Sequence, residues 1–212
     1  MAMAFVFPGQ GSQSVGMLGE LAAAHPVVRS TFDEASGVLG FDLWQLAAEG
    51  PAERLALTEI TQPVMLVAGV AAWRVWCARS AVRPDWVAGH SLGEFTALVA
   101  AGVLEFPDAV DLVRFRGEVM RDAVPNGQGG MAAVLGLSDA DMEAACAEAA
   151  QGEVAEAVNF NAPGQVVIAG HKAAVERACE AAKAAGAKRA VVLPVSAPFH
   201  SSLLSPAAEV LA

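Results

Sequence analysis

Apolar residues follow two different rhythms along this chain, and the change falls near residue 126. In the first part the quartet "AFVF" (4–7) reads as a short buried strand, ended by "PGQG" (8–11). Helix-period patterns follow through residues 14–80, with breaks at Pro26, Gly40, Gly50-Pro51 and Pro63. "DWVAG" (85–89) reads as a second strand, and "LGEFTALVAA" (92–101) as a helix stopped by Gly102. Pro107-Asp108 then opens a further helix that runs to about Ala123.

Beyond the breaker "PNGQGG" (125–130) the elements become shorter and alternate. "MAAVLGL" (131–137) reads as a strand and "SDADMEAACAEAA" (138–150) as a helix capped by Ser138. "EVAEAVNFN" (153–161) and "QVVIAG" (165–170) flank "APG", which predicts a hairpin. "KAAVERACEAAKAAG" (172–186) is a helix stopped by Gly186, and "KRAVVLPV" (188–195) a last strand. The order β-α-β-β-α-β is the split βαβ of ferredoxin-like units. It predicts an inserted small domain at 126–194, with residues 1–125 and 195–212 forming the main domain.

Composition narrows the class. Of 212 residues, 55% are hydrophobic and 17% charged, which excludes a disordered chain. The net charge of −10 and a pI near 4.8 argue against a nucleic-acid surface. The apolar run from Pro63 to Trp73 is interrupted by Arg74, too short to span a bilayer, and the N-terminus lacks the basic start of a secretory signal. Cys77, Cys146 and Cys179 are scattered, and His25, His90, His171 and His200 show no metal-ligand spacing with them. A reducing, cytoplasmic setting without structural metal is the expectation.

"GHSLG" (89–93) satisfies Gly-x-Ser-x-Gly with a strand before it and a helix after it, the context of a nucleophile elbow. A serine on so sharp a turn leaves no room for side chains two residues away. Its hydroxyl then stands at a helix N-terminus, where free N–H groups favour developing negative charge. The fold class is therefore α/β: a hydrolase-like core with a parallel sheet and an elbow, plus the ferredoxin-like insert. A serine needs a base. His90 adjoins it but points elsewhere, whereas His200 lies in "SAPFHSS", just after the chain re-enters the main domain; it is either the base or a surface histidine. The glycines of "PGQG" let its backbone approach a ligand, or simply make a turn.

Arg116 is the most informative single charge. Its neighbours three and four residues away are Leu112, Val113, Val119 and Met120, whereas those of Arg114 include Asp111 and Glu118. Arg116 should therefore point inward, where it needs a carboxylate from the protein or from a ligand.

"FVFPGQGSQ" (5–13), "TQP" (61–63), "GHSLGEF" (89–95), "FRGEVM" (115–120), "NFNAPGQVVIAG" (159–170) and "PVSAPFHS" (194–201) occur in the order seen in malonyl-CoA:acyl-carrier-protein transacylases. The chain resembles that family from about residue 5 to its end. The resemblance implies that Ser91 accepts the acyl group, that His200 is the general base, and that the N–H groups of Gln10 and Leu92 form an oxyanion hole. It implies that Arg116 clasps the free carboxylate of the malonyl group and that Gln62 lines the same pocket. Phe199 matches a position where an aromatic residue accompanies malonyl rather than bulkier branched units. The partners so implied are malonyl-CoA, coenzyme A and acyl carrier protein, with no nucleic acid, no membrane and no cofactor beyond the phosphopantetheine of the carrier. The implied role is in fatty acid biosynthesis.

The family runs on beyond the point where this chain stops, at Ala212, in the helix expected after His200. The expectation is a C-terminally truncated main domain that lacks the carbonyl orienting the histidine. Two other classes fit parts of the pattern: a serine esterase, sharing Ser91 and His200 without an inward arginine, and an impaired fragment that only binds carrier protein. Five of the 13 basic residues, Lys172, Arg177, Lys183, Lys188 and Arg189, cluster within 171–189. Carrier proteins are acidic, so this stretch is either a docking site or a solvated helix face.

Overall fold

The structure, a computed structural model, describes residues 2–195 and 197–212. Backbone contacts divide it into two compact units, Met1–Glu118 and Val119–Ala212.

In the first unit, strand β1 (Ala4–Phe7) leads into helices α1 (Gly19–Ala24), α2 (Pro26–Leu39), α3 (Leu43–Glu49), α4 (Ala52–Leu55) and α5 (Thr58–Arg79). Strand β2 (Trp86–Gly89) and helices α6 (Gly93–Ala100) and α7 (Phe106–Asp122) follow, α7 running past the boundary between the units. Local chemistry sets the ends. Pro26 starts α2 with its φ preset, Gly40 closes it at φ 77°, and the Asp42 carboxylate accepts from the Gln45 N–H to cap α3. β1 and β2 pair in parallel, Ala4 opposite Trp86 and Phe7 opposite Gly89. The core gathers Phe32, Leu43, Leu66, Leu92 and Val110, all nearly inaccessible to water.

The break expected at Pro63 does not occur: α5 is continuous from Thr58 to Arg79. Proline removes one hydrogen bond and costs a helix about 3 kcal/mol. Every residue from Gln62 to Ala68 is buried, and that packing outweighs the loss. The apolar run is thereby extended, so that α5, with 22 residues, is long and apolar enough to cross a membrane by length and composition. In this fold 61% of its most apolar window is buried inside the protein, as in a core helix.

The second unit contains the alternating order read from the sequence: β3 (Gly129–Leu135), α8 (Asp139–Ala150), β4 (Ala155–Ala162), β5 (Gln165–His171), α9 (Lys172–Ala184) and β6 (Arg189–Val192). Its sheet is antiparallel in the order β4-β5-β3-β6, the ferredoxin-like arrangement. Ser138 caps α8 by accepting from the Asp141 N–H. Ala132, Val134, Val166 and Ile168 meet Met142, Ala145, Ala174, Val175 and Ala178 of the two helices. Cys146 of α8 and Cys179 of α9 are buried in the same layer. A short 3₁₀ turn (Ser202–Leu204) and α10 (Ser205–Leu211) end the described chain. Among the described residues no group of three or more His, Cys, Asp or Glu could hold a metal ion.

Candidate active site

Between the end of β2 at Gly89 and the start of α6 at Gly93, the chain reverses within three residues, and Ser91 sits at φ 51°. That left-handed conformation is strained for a residue with a side chain. Successive turn bonds hold it: Gly93 N–H to His90 O at 2.9 Å, Glu94 N–H to Ser91 O at 3.1 Å and Phe95 N–H to Leu92 O at 3.1 Å. The flanking glycines are required by contact. A Cβ on Gly89 would overlap the carbonyl carbon of Gly93, and one on Gly93 would overlap the Phe7 oxygen. Gly93→Ala is therefore expected to cost about 3 kcal/mol or more by overpacking. An unchanged thermal midpoint in that variant would mean that the end of β1 yields readily.

The elbow is tied to β1 by the His90 N–H, which donates to Phe7 O at 3.1 Å. This brings the loop Pro8–Gly11 beside it. Among the described residues, neither the Gln10 N–H nor the Leu92 N–H finds an acceptor. Both donors are thus available to a ligand.

Arg116 points inward, as its neighbours predicted, while Arg114 faces outward and pairs with Asp111 at 2.8 Å and Glu118 at 2.7 Å. The Arg116 guanidinium donates to Gln62 Oε1 at 2.6 Å and to Ser91 Oγ at 3.2 Å, and stands 5.5 Å from the Phe95 ring centroid. Burial pulls its pKa below the usual arginine value. No carboxylate of the described residues pairs with it. Gln62 is fully buried and donates through Nε2 to Thr58 Oγ at 3.3 Å, and the Thr58 hydroxyl donates to Gln10 Oε1 at 2.9 Å. Glycine at 117 makes this possible: a Cβ there would stand 2.6 Å from Glu59 Cα and 2.9 Å from Thr58 O, so α7 lies directly on the first turn of α5. Ser91, Leu92, Gln10, Gln62 and Arg116 are therefore assembled in the first unit. Thr58 was not singled out from the sequence, although its spacing four residues before Gln62 puts both on one helix face.

Phe199 and His200 belong to the second unit. Phe199 packs with Met120, Leu204 and Ala207. His200 is exposed, with φ 68°, in a turn closed by Ser201, whose N–H and hydroxyl both reach Pro198 O. Ser202 then fixes the segment through two 2.7 Å bonds to the Glu156 carboxylate on β4, an anchor with no signal in the sequence. Of the basic cluster, Lys172, Lys183, Lys188 and Arg189 are exposed. Arg177 is engaged at the end of α8, with Ala149 O, Ala150 O and Glu153.

A parallel β1–β2 pair that presents a serine on a strained turn into a helix is the architecture of α/β enzymes with a nucleophile elbow. Residues 4–212 match the family model described as the acyl transferase domain. The chain belongs to that family and is an acyltransferase. It is 62% identical over 209 residues to the malonyl CoA-acyl carrier protein transacylase of Salmonella typhimurium, covering 99% of this chain and 68% of that one. The acyl carrier protein S-malonyltransferase of Vibrio cholerae superimposes with a TM-score of 0.96 at 57% identity, over 100% of this chain and 69% of that one. A type II PKS acyl-carrier protein in complex with its malonyl-transacylase gives 0.98 at 56%, over 100% and 68%.

Proposed function

We propose that this acyltransferase moves a malonyl group from malonyl-CoA to the phosphopantetheine thiol of an acyl carrier protein, in fatty acid biosynthesis. The observation that carries the substrate is Arg116: a half-buried guanidinium with no carboxylate partner among the described residues, 3.2 Å from Ser91 Oγ. A cation so placed suits an acyl group that carries its own carboxylate, and the fork geometry suits a bidentate pair.

In the first half-reaction Ser91 Oγ attacks the thioester carbonyl and His200 takes its proton. The N–H groups of Gln10 and Leu92 hold the oxyanion, contacts worth roughly 3 kcal/mol each. Coenzyme A leaves with the proton, giving a malonyl-serine ester. In the second half the carrier's thiol attacks that ester, with His200 again moving the proton, and ping-pong kinetics follow. Arg116 binds the free carboxylate throughout, Gln62 orients Arg116, and Phe199 limits the acyl group's size. This chemistry asks for no metal and no cofactor bound to the chain itself, and we place it in the cytoplasm. Residues 1–125 and 195–212 form the catalytic domain and 126–194 the inserted one. Supporting that division, β3 to β6 and their own core lie wholly within 126–194.

Intact mass after brief mixing with malonyl-CoA tests the reading: a malonyl adduct that maps to Ser91 is expected. No adduct, or one on another residue, would overturn it.

Carrier docking falls on the exposed lysines of the small domain, with Lys172, Arg177 and Arg189 extending the same basic stretch. Electrostatic steering between a basic patch and an acidic partner acts mainly on encounter. Reversing Lys183 and Lys188 to glutamate should raise the KM for carrier protein by about fivefold at low salt, less at high salt. The KM for malonyl-CoA should stay where it was. An unchanged value for the carrier would sink the idea.

A further inference from the structure

Thr58 is buried, at 8% exposure, on the first turn of α5, where threonine is unremarkable as a helix starter. Its hydroxyl is not used in that way. Leu57 occupies the N-cap position without a side-chain cap, and Thr61 is the residue that ties the turn down, bonding Leu55 O at 2.6 Å and Leu57 O at 3.0 Å. The Thr58 hydroxyl instead bridges two glutamine side chains from different elements.

We propose that Thr58 is a positioning residue for acyl transfer, coupling the Arg116–Gln62 carboxylate clasp to the loop that carries Gln10. Gln62 presents an N–H to it at 3.3 Å, and Gln10 presents a carbonyl oxygen at 2.9 Å. A group that joins them must accept and donate at once, which a hydroxyl does and a methyl does not. The four groups form one run of donors with a single sense: Arg116 to Gln62, Gln62 to Thr58, Thr58 to Gln10. Its two middle members, Thr58 and Gln62, are buried; there such a run polarises along its length, and an unmade bond in it is costly. In the same loop the Gly11 N–H donates to Gln13 Oε1 at 2.8 Å. The Thr58 bond is what fixes the Gln10 side chain relative to Arg116, and with it the direction of the Gln10 N–H.

The inference rests on the malonyl-transfer reading and has its own test. Burst acylation of Ser91 by malonyl-CoA and by acetyl-CoA is followed for the full chain and for Thr58→Val, Thr58→Ser, Gln62→Ala and Thr58→Val with Gln62→Ala. Thr58→Val should slow malonyl acylation by about tenfold, the equivalent of one buried hydrogen bond, with KM moving less than about twofold. Thr58→Ser should recover to within about threefold of the original rate, because the hydroxyl is kept. Adding Gln62→Ala to Thr58→Val should cost clearly less than Gln62→Ala alone, as expected for members of one network. Acetyl acylation should fall less than malonyl acylation. The proposal is overturned if Thr58→Ser is as slow as Thr58→Val, if the two losses add, or if Thr58→Val acylates at the original rate. Should Thr58→Val fail to fold, Thr58→Ser against Thr58→Ala decides on the same readout, and equal rates for those two would overturn it. Absence of any ester on Ser91 in the unsubstituted chain would remove the function and this proposal together; an ester on Ser91 with Thr58 silent would remove only this proposal.

Discussion

Ser91→Ala is expected to abolish malonyl transfer, with a fall of at least about a thousandfold in the acylation rate, because no other atom at the elbow can form the ester. The fold should survive. Serine already carries a Cβ at φ 51°, so alanine meets the same backbone strain and no more. What is lost is the hydroxyl and its 3.2 Å bond from Arg116. The thermal midpoint should therefore move little, while the mass adduct disappears. Ser91→Gly would test the strain itself: it should be slightly more stable than Ser91→Ala, by about 1 kcal/mol at most, since glycine alone is at ease at positive φ. A Ser91→Ala protein that still collected a stable malonyl ester at another residue would contradict the mechanism.

The second large effect concerns selectivity. Arg116→Ala should lower malonyl transfer by about a hundredfold or more, the scale of losing one partner of a buried, hydrogen-bonded charge pair. Acetyl transfer should suffer far less, because acetyl has no second carboxylate to place. Some loss is expected there too, since Arg116 also donates to Gln62 and to Ser91 Oγ. Arg116→Lys should restore little: an ammonium cannot hold Gln62 and a carboxylate in one plane. Initial rates with malonyl-CoA and acetyl-CoA decide the matter, and equal losses for the two would make Arg116 a structural residue.

Where a feature was set by neighbours in the chain, it was legible before the structure. The turn at Ser91 needs glycine on both sides for steric reasons visible in five residues. Arg114 and Arg116 separate onto opposite faces because the residues three and four away differ, and the ion pairs of Arg114 bear that out. The small domain's six elements alternate with turn residues between them, and each is found within a few residues of its expected place. What depended on distant contacts was not legible. Pro63 reads as a stop because its cost is local, while the burial that overrides it comes from elements far along the chain. Thr58 is one of four threonines, with nothing local to mark it, until Gly117 lets α7 close on α5. Glu156 and Ser202 are both ordinary surface types, and only the tertiary fold brings them to 2.7 Å.

The two cysteines packed between α8 and α9 bear on the chemistry in a different way. An enzyme whose substrate and product are both thioesters risks exchanging the acyl group onto a thiol of its own. Thiolate is the reactive form, and its abundance at a given pH follows the thiol's pKa. Burial pushes Cys146 up to about 11 and raises Cys179 as well. Near neutrality both sulfurs are therefore protonated and out of contact with solvent, poor acceptors in any exchange. A thioester cargo would therefore find neither of these two thiols ready to divert it.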